Sequence, residues 1–138
     1  MDTPKTTEPA VARDVAEHEL ETFAEAMDLD LDPTHMDDED KKGLDDVKRI
    51  VLKAIQRGTL AFNDQSEPMY KCADGNTYTF KEPNGGNFMA MDRKKQHENV
   101  GKMYATMSEM AGVPMKTFAT MPNRDLKVCT AVVTLFLA

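Results

Sequence analysis

Apolar residues recur at helical spacing in four long stretches of the chain. From Val11 to Met27 they form a thin stripe among glutamates, which predicts an amphipathic helix that packs weakly or stays available to a partner. A wider stripe from about Asp38 to Gln56 predicts a core helix that Gly58 ends. Two further helices are predicted before and after the turn "GVP" at 112–114, with inner positions at Val100, Met103, Tyr104, Met107, Met110, Ala111, Leu126, Cys129, Val132, Val133, Phe136 and Leu137.

After Gly58 the period of the apolar positions changes to two, which predicts short strands at 59–62 and 69–81. Asp74 and Gly75 lie in the middle of the second stretch and are the preferred residues of a two-residue type I′ hairpin turn. Such a turn predicts that Cys72 faces Thr77, that Lys71 faces Tyr78 and that Met69 faces Phe80. The sequence therefore predicts a small antiparallel meander, which needs helices over one face to be stable.

Together these elements predict an α+β fold, in which a small antiparallel β-hairpin or meander packs with a C-terminal helical cluster. A shorter helix is expected to begin near Phe88, and Met115 and Phe118 are assigned to a short turn. We expect residues 1–37 to form an acidic N-terminal arm, partly disordered and with one amphipathic helix, ahead of a globular α+β domain at 38–138. A chain of 138 residues can bury a core without disulfides or metals.

Charge is distributed unevenly along the chain. Residues 1–40 contain 14 acidic and 2 basic residues, whereas residues 41–138 contain 10 acidic and 15 basic ones. The two parts, at −12 and +5, should therefore attract each other. The ordinary interpretation of the acidic part is a solvated tail. An acidic segment can also imitate nucleic acid. An alternative function is therefore a DNA mimic that inhibits a host defence system, and this function would require an ordered acidic face.

The stretch "DLDLDPTHMDDE" at 28–39 has carboxylates at the first, third, fifth and twelfth positions, as in an EF-hand calcium loop. The sixth position argues against calcium, because the loop needs glycine there and Pro33 is locked in another conformation. The eighth position holds His35 in place of a small apolar residue. We interpret Pro33 as a break between two helices and Asp37 or Asp38 as the N-cap of the second helix.

The sequence contains no local motif for catalysis: the serines lack a GxSxG elbow, no phosphate-binding loop is present, and Cys72 and Cys129 form no CxxC pair. We expect no enzyme activity, no cofactor and no metal. The basic run "RKKQH" at 93–97 is interpreted as a solvated helix end, so nucleic acid is not an expected partner. The chain begins without an apolar signal segment, and its longest apolar run is about half of the ~20 residues of a membrane span. A reducing cytosol fits this composition.

Methionine is unusually abundant, with 11 residues in the chain. Its flexible and polarizable side chain lets a surface accept apolar partners of different shapes. The simpler interpretation is that most of these methionines fill the core. If a helix-binding groove exists, its candidate partner-binding residues are Met103, Met107, Met110, Phe118 and Phe136.

Residues 78–138 contain an ordered series of features. A strand ends in a charged residue and proline in "YTFKEPNGGNFMAMD", and a helix follows. An alanine- and methionine-bearing helix then ends in a Gly-hydrophobic-Pro turn in "MYATMSEMAGVP". An aspartate-led terminal helix then finishes in an apolar cluster in "FATMPNRDLKVCTAVVTLFLA". This series resembles the tail assembly chaperones of long-tailed bacteriophages, Mu-like and related. The acidic residues 1–40 and the basic cluster at 93–95 have no assigned place in the resemblance.

The resemblance implies a non-enzymatic protein that binds the long helical tape measure protein until tail tube subunits polymerise around it. It implies that the C-terminal helices form the binding surface, and it places the protein in the cytoplasm of the bacterial host. Formation of a homo-oligomer is compatible with the same apolar stripes. A structural tail or neck protein of the virion is a further alternative. We expect no membrane partner.

Overall fold

The computed structural model describes residues 11–82 and 99–136. Five helices and three strands in this part of the chain confirm the α+β class. The elements are α1 (Arg13–Ala26), α2 (Asp38–Arg57), β1 (Leu60–Phe62), β2 (Pro68–Lys71), β3 (Thr77–Thr79), α3 (Asn99–Ala111), α4 (Met115–Ala119) and α5 (Asn123–Phe136). The helix expected near Phe88 and the basic run at 93–97 lie outside the described residues, as do residues 1–10. No helix within the described ranges is both long and apolar enough to cross a membrane.

Both ends of α2 and the end of α3 follow the capping signals of the sequence. Asp37 is the N-cap of α2, and its side chain accepts a hydrogen bond from the amide of Asp40 over 2.8 Å. Three acidic residues in the first turn of α2 complement the positive end of the helix dipole. Gly58 ends α2 with a φ of 81°, and Gly112 follows α3 with a φ of 68°. The predicted breaks at Gly58 and Gly112 are therefore confirmed.

The three strands form an antiparallel sheet in the order β1-β2-β3, but the hairpin between β2 and β3 differs from its predicted form. Lys71 pairs with Thr77, and the amide of Cys72 donates to the carbonyl of Asn76 over 2.8 Å. The loop therefore spans three residues and ends at Gly75, whose φ is 94°. The prediction of a two-residue turn is wrong, because Gly75 closes a longer loop. The predicted pairs Cys72–Thr77, Lys71–Tyr78 and Met69–Phe80 are wrong for the same reason.

Helix α1 belongs to the same hydrophobic core as the rest of the described chain. The Phe23 side chain is 1% exposed. Its ring stacks on Phe62 with centroids 5.0 Å apart and meets the edge of Phe136 at 5.1 Å. Helix α1, which lies within the residues expected as an arm, is thus packed against the sheet and α5.

The acidic stretch after α1 forms turns. Asp30 Oδ1 accepts a hydrogen bond from the Asp32 amide over 3.0 Å, and Asp32 Oδ1 accepts from the amide and hydroxyl of Thr34. These bonds within the loop are typical of Asx turns, and the two bonds from Thr34, the hydroxyl first, lower the pKa of Asp32. Within the described ranges 11–82 and 99–136, no group of three or more His, Cys, Asp or Glu residues is placed to hold a metal ion.

Candidate partner-binding surfaces

The five residues proposed from the sequence as partner-binding lie mostly inside the protein. Met107 and Phe118 are fully buried, and Met110 and Phe136 are 3% and 5% exposed. Met103 is partly buried at the edge of the same cluster. These five side chains occupy inner faces of α3, α4 and α5, so they do not form a continuous surface in this conformation. Met107 and Met110 follow the simpler interpretation, in which methionines fill the core, whereas Met115 is 40% exposed.

The contact between α2 and α5 leaves an apolar furrow on the surface. Two adjoining cavities of about 610 and 270 Å³ lie along it and share Val47 and Thr134. The Thr134 hydroxyl donates to the carbonyl of Thr130 over 2.7 Å, so it presents little polarity to a partner. We call this furrow the α2–α5 trough and define it by six partly exposed residues, Leu44, Val47, Ile50, Leu126, Thr130 and Thr134.

A larger open groove of about 730 Å³ adjoins the trough at Ile50 and Lys127. Six exposed cations line it, and they come from three elements: Arg49, Lys53 and Arg57 of α2, Lys71 of β2, and Arg124 and Lys127 of α5. The N-terminal end of α5 also faces this space, and its dipole adds to the positive potential. We call the surface defined by these six cations the basic groove. Such a concentration of positive charge is notable in a chain with a net charge of −7.

One carboxylate lies at the floor of the basic groove. Asp125 is 2% exposed, and its Oδ1 accepts a hydrogen bond from the Tyr70 hydroxyl over 2.7 Å. Its Oδ2 accepts a longer bond, 3.4 Å, from the amide of Ala73. Burial raises the pKa of Tyr70 and the bond to Asp125 raises it further, because both disfavour the phenolate. Asp125 thus links the start of α5 to β2, and it is already engaged by protein donors.

Sequence reasoning noted that an aspartate leads the terminal helix but did not detect that it is buried. An acidic residue in the first turn of a helix is usually explained by the helix dipole alone. The partner Tyr70 lies 55 residues away in the chain, and nothing in the local pattern connects the two. The six cations were also missed as a group, because they are scattered over 79 positions between Arg49 and Lys127 and come together only in the fold.

The two thiols near this floor are protected from ionisation. Cys72 and Cys129 are both free and buried. Burial raises the pKa of Cys72 to about 11 and raises that of Cys129 as well, and the neighbouring Asp125 acts in the same direction. The thiols therefore stay protonated near neutral pH, and a protonated thiol is a poor nucleophile.

A second charged surface, of opposite sign, lies along α1. Glu17, Glu21 and Glu25 border a cavity of about 570 Å³ between α1 and α2, together with Asp28. We call these four residues the acidic stripe. This cavity has no lining residue in common with the basic groove.

The acidic stripe and the basic groove do not neutralise each other within one molecule. Arg13 pairs with Glu17 at 3.5 Å, and Asp46 pairs with Arg49 at 3.1 Å, so both ion pairs lie within a single helix. Over the described residues, no ion pair joins the stripe to a cation of the groove. The charge attraction expected from the sequence is therefore not used between these two surfaces.

These surfaces offer apolar contact and charge complementarity to a partner. The α2–α5 trough provides an apolar floor, the basic groove provides positive charge, of which Arg49 is paired with Asp46 on its own helix, and the acidic stripe provides the opposite charge. At the floor of the groove, the Asp125 carboxylate accepts a hydrogen bond from Tyr70, and the Cys72 thiol stays protonated near neutral pH. No family model, curated protein or solved structure matches the chain.

Proposed function

We propose that this protein is a non-enzymatic tail assembly chaperone of a long-tailed bacteriophage, which binds the tape measure protein in the host cytoplasm during tail morphogenesis. The observation that carries the proposal is the α2–α5 trough. A furrow with an apolar floor and charged ends is the form that receives an amphipathic helix, and the tape measure protein is a long helical client.

The residues of the trough have the spacing that such a client requires. Leu44, Val47 and Ile50 recur every three residues on α2 and are all partly exposed. They form one wall, and residues of α5 form the other. A client helix lying between the walls would bury apolar residues at positions i, i+3 or i+4, and i+7. The neighbouring basic groove would meet acidic residues beyond the end of that apolar face.

The order of elements links this binding surface to tail assembly. The described residues between Thr77 and Phe136 form a strand, a helix, a Gly-Val-Pro turn, a short helix and an aspartate-led terminal helix, and the helix expected near Phe88 lies outside them. This order supports the proposal because it is the series in which the chain resembles tail assembly chaperones. The resemblance also implies that a C-terminal helix forms the binding surface, and α5 supplies half of the trough.

The proposal is tested by co-purification with the tape measure protein encoded beside this chain in its genome. We expect the full chain to form a stable complex with it, and the double variant V47Q/L126Q to bind at least about tenfold more weakly, because two polar side chains interrupt the apolar floor. The matched control is V15Q, since Val15 is 49% exposed on α1, away from the trough. Full affinity of V47Q/L126Q with unchanged thermal unfolding, or no complex with the wild-type chain, would contradict the proposal.

A further inference from the structure

We propose that the basic groove of one copy binds the acidic stripe of a second copy, so that the protein self-associates head to tail. This inference needs no client and uses none of the six residues that define the α2–α5 trough, although the basic groove is also the surface proposed to meet acidic residues of a client. It rests on three observations: the matched spacing of opposite charges, their separation on one molecule, and the composition of the groove.

The two charged surfaces have the same period. Arg49, Lys53 and Arg57 recur every four residues on α2, and Glu17, Glu21 and Glu25 recur every four residues on α1. A step of four residues advances about 6 Å along a helix. Rows of this kind are inclined to their helix axes, so that two of them run parallel when the helices cross at about −50°, a common packing angle. Three carboxylates can then face three cations.

Both surfaces are accessible in the folded molecule. The side chains of Glu21, Glu25, Lys53 and Arg57 are all exposed. Helix α1 packs into the core through Ala16 and Phe23, neither of which lines the cavity beside the stripe, so a second copy can use the stripe without disturbing these contacts. A copy that uses its stripe still presents its groove, because the two surfaces share no residue. Such a contact is heterologous and produces chains or closed rings.

The groove itself favours an acidic protein surface over nucleic acid. Single-stranded nucleic acid is usually held by exposed aromatic side chains on which bases stack. The aromatic residue lining this groove is Tyr70, which is 5% exposed and bonded to Asp125.

Sedimentation of the full chain against protein and salt concentration tests the inference. Exposed ion pairs are individually weak, so we expect association at protein concentrations on the order of 100 µM in low-salt buffer. It should disappear at about 0.5 M salt, where screening acts within a few ångströms. The variants K53E/R57E and E21K/E25K should each be monomeric under conditions in which the wild type associates.

Mixing the two variants gives the sharpest result. K53E/R57E reverses two of the six cations of the groove, and E21K/E25K reverses two of the four carboxylates of the stripe. Self-association of either variant would therefore place like charges opposite each other at these positions. An equimolar mixture restores opposite charges there and should recover the wild-type sedimentation coefficient. K81E/K116E and D64K/E82K make the same charge changes at exposed positions outside both surfaces and should associate like the wild type.

Three outcomes would overturn the inference. The first is a wild-type chain that stays monomeric at about 1 mM in low salt, far above the range in which several surface ion pairs should act. The second is a mixture of the two variants that stays monomeric. The third is a single-stranded oligonucleotide that binds the wild type, but not K53E/R57E, without any self-association. Because V47Q/L126Q leaves both charged surfaces intact, its sedimentation separates a failure of this inference from a failure of the proposed client.

Discussion

At the scale of single residues, the least predictable feature is the buried pair of Tyr70 and Asp125. The carboxylate accepts one short bond from the tyrosine hydroxyl and one longer bond from a backbone amide. A buried carboxylate that loses a donor retains most of its desolvation cost. Sequence reasoning could identify the helix on which Asp125 lies, but burial depends on which strand packs against that helix.

The variant Y70F removes the hydroxyl and leaves Asp125 short of a donor. At pH 7 we expect the free energy of unfolding to fall by about 1–3 kcal/mol, measured by urea denaturation. The matched control is Y104F, a partly exposed tyrosine on α3, and it should change stability by less than about 0.5 kcal/mol. Equal effects of the two substitutions would mean that the buried bond contributes nothing measurable.

The same comparison has a defined pH dependence. The pKa of Tyr70 is raised in the folded state above its ordinary value of 10. Above about pH 10 the unfolded chain therefore loses this proton more readily than the folded chain, which lowers the stability of the wild type as the pH rises. The Y70F variant lacks the group, so the difference between the two proteins should narrow between about pH 10 and 11. A constant difference would contradict the assigned direction.

At the scale of elements, the sequence predicts helices better than it predicts the hairpin. Helix α2 shows a wide apolar stripe, an aspartate N-cap and a terminal glycine, and all three signals agree with its bounds. The hairpin has only the pair Asp74-Gly75, which suits a two-residue turn and also the three-residue loop that forms. The register then depends on which side chains reach the core, and Tyr70 and Phe80 do so.

Two glycines in these elements should respond oppositely to the same substitution. Gly75 has a φ of 94°, so G75A strains the hairpin loop and should lower stability by about 1 kcal/mol. Gly43 lies inside α2 with nothing within 4 Å of an added Cβ, so G43A should raise stability by about 0.5–1 kcal/mol. An added Cβ at Gly75 also meets nothing within 4 Å, so the comparison isolates backbone conformation. Thermal unfolding of both variants checks the two signs, and a shared sign would contradict this account.

At the scale of the whole molecule, the sequence shows stripes but not which stripes meet. The five candidate partner-binding residues were chosen because they lie on apolar helix faces, and four of them face the common core. The partly exposed residues of the α2–α5 trough belong to equally apolar stripes. The same limit applies to charge. The composition shows that the acidic and basic parts should attract each other. The separation of the acidic stripe from the basic groove, however, arises from how α1 and α2 pack.

The contribution of α1 to the core decides whether the N-terminal part is separable from the rest. Phe23 fills the space between Phe62 on the sheet and Phe136 on α5, so F23A should remove about 3–5 kcal/mol of stability. That is a large share of the 5–15 kcal/mol typical of a domain. V15A, on the exposed face of the same helix, should cost less than about 0.5 kcal/mol. If F23A prevents folding, F23L gives a milder test by urea denaturation. If α1 were not docked on the core, F23A and V15A would have the same effect on stability. If α1 shares the core, F23A should lower the urea midpoint of the single transition in which the sheet and α5 also unfold.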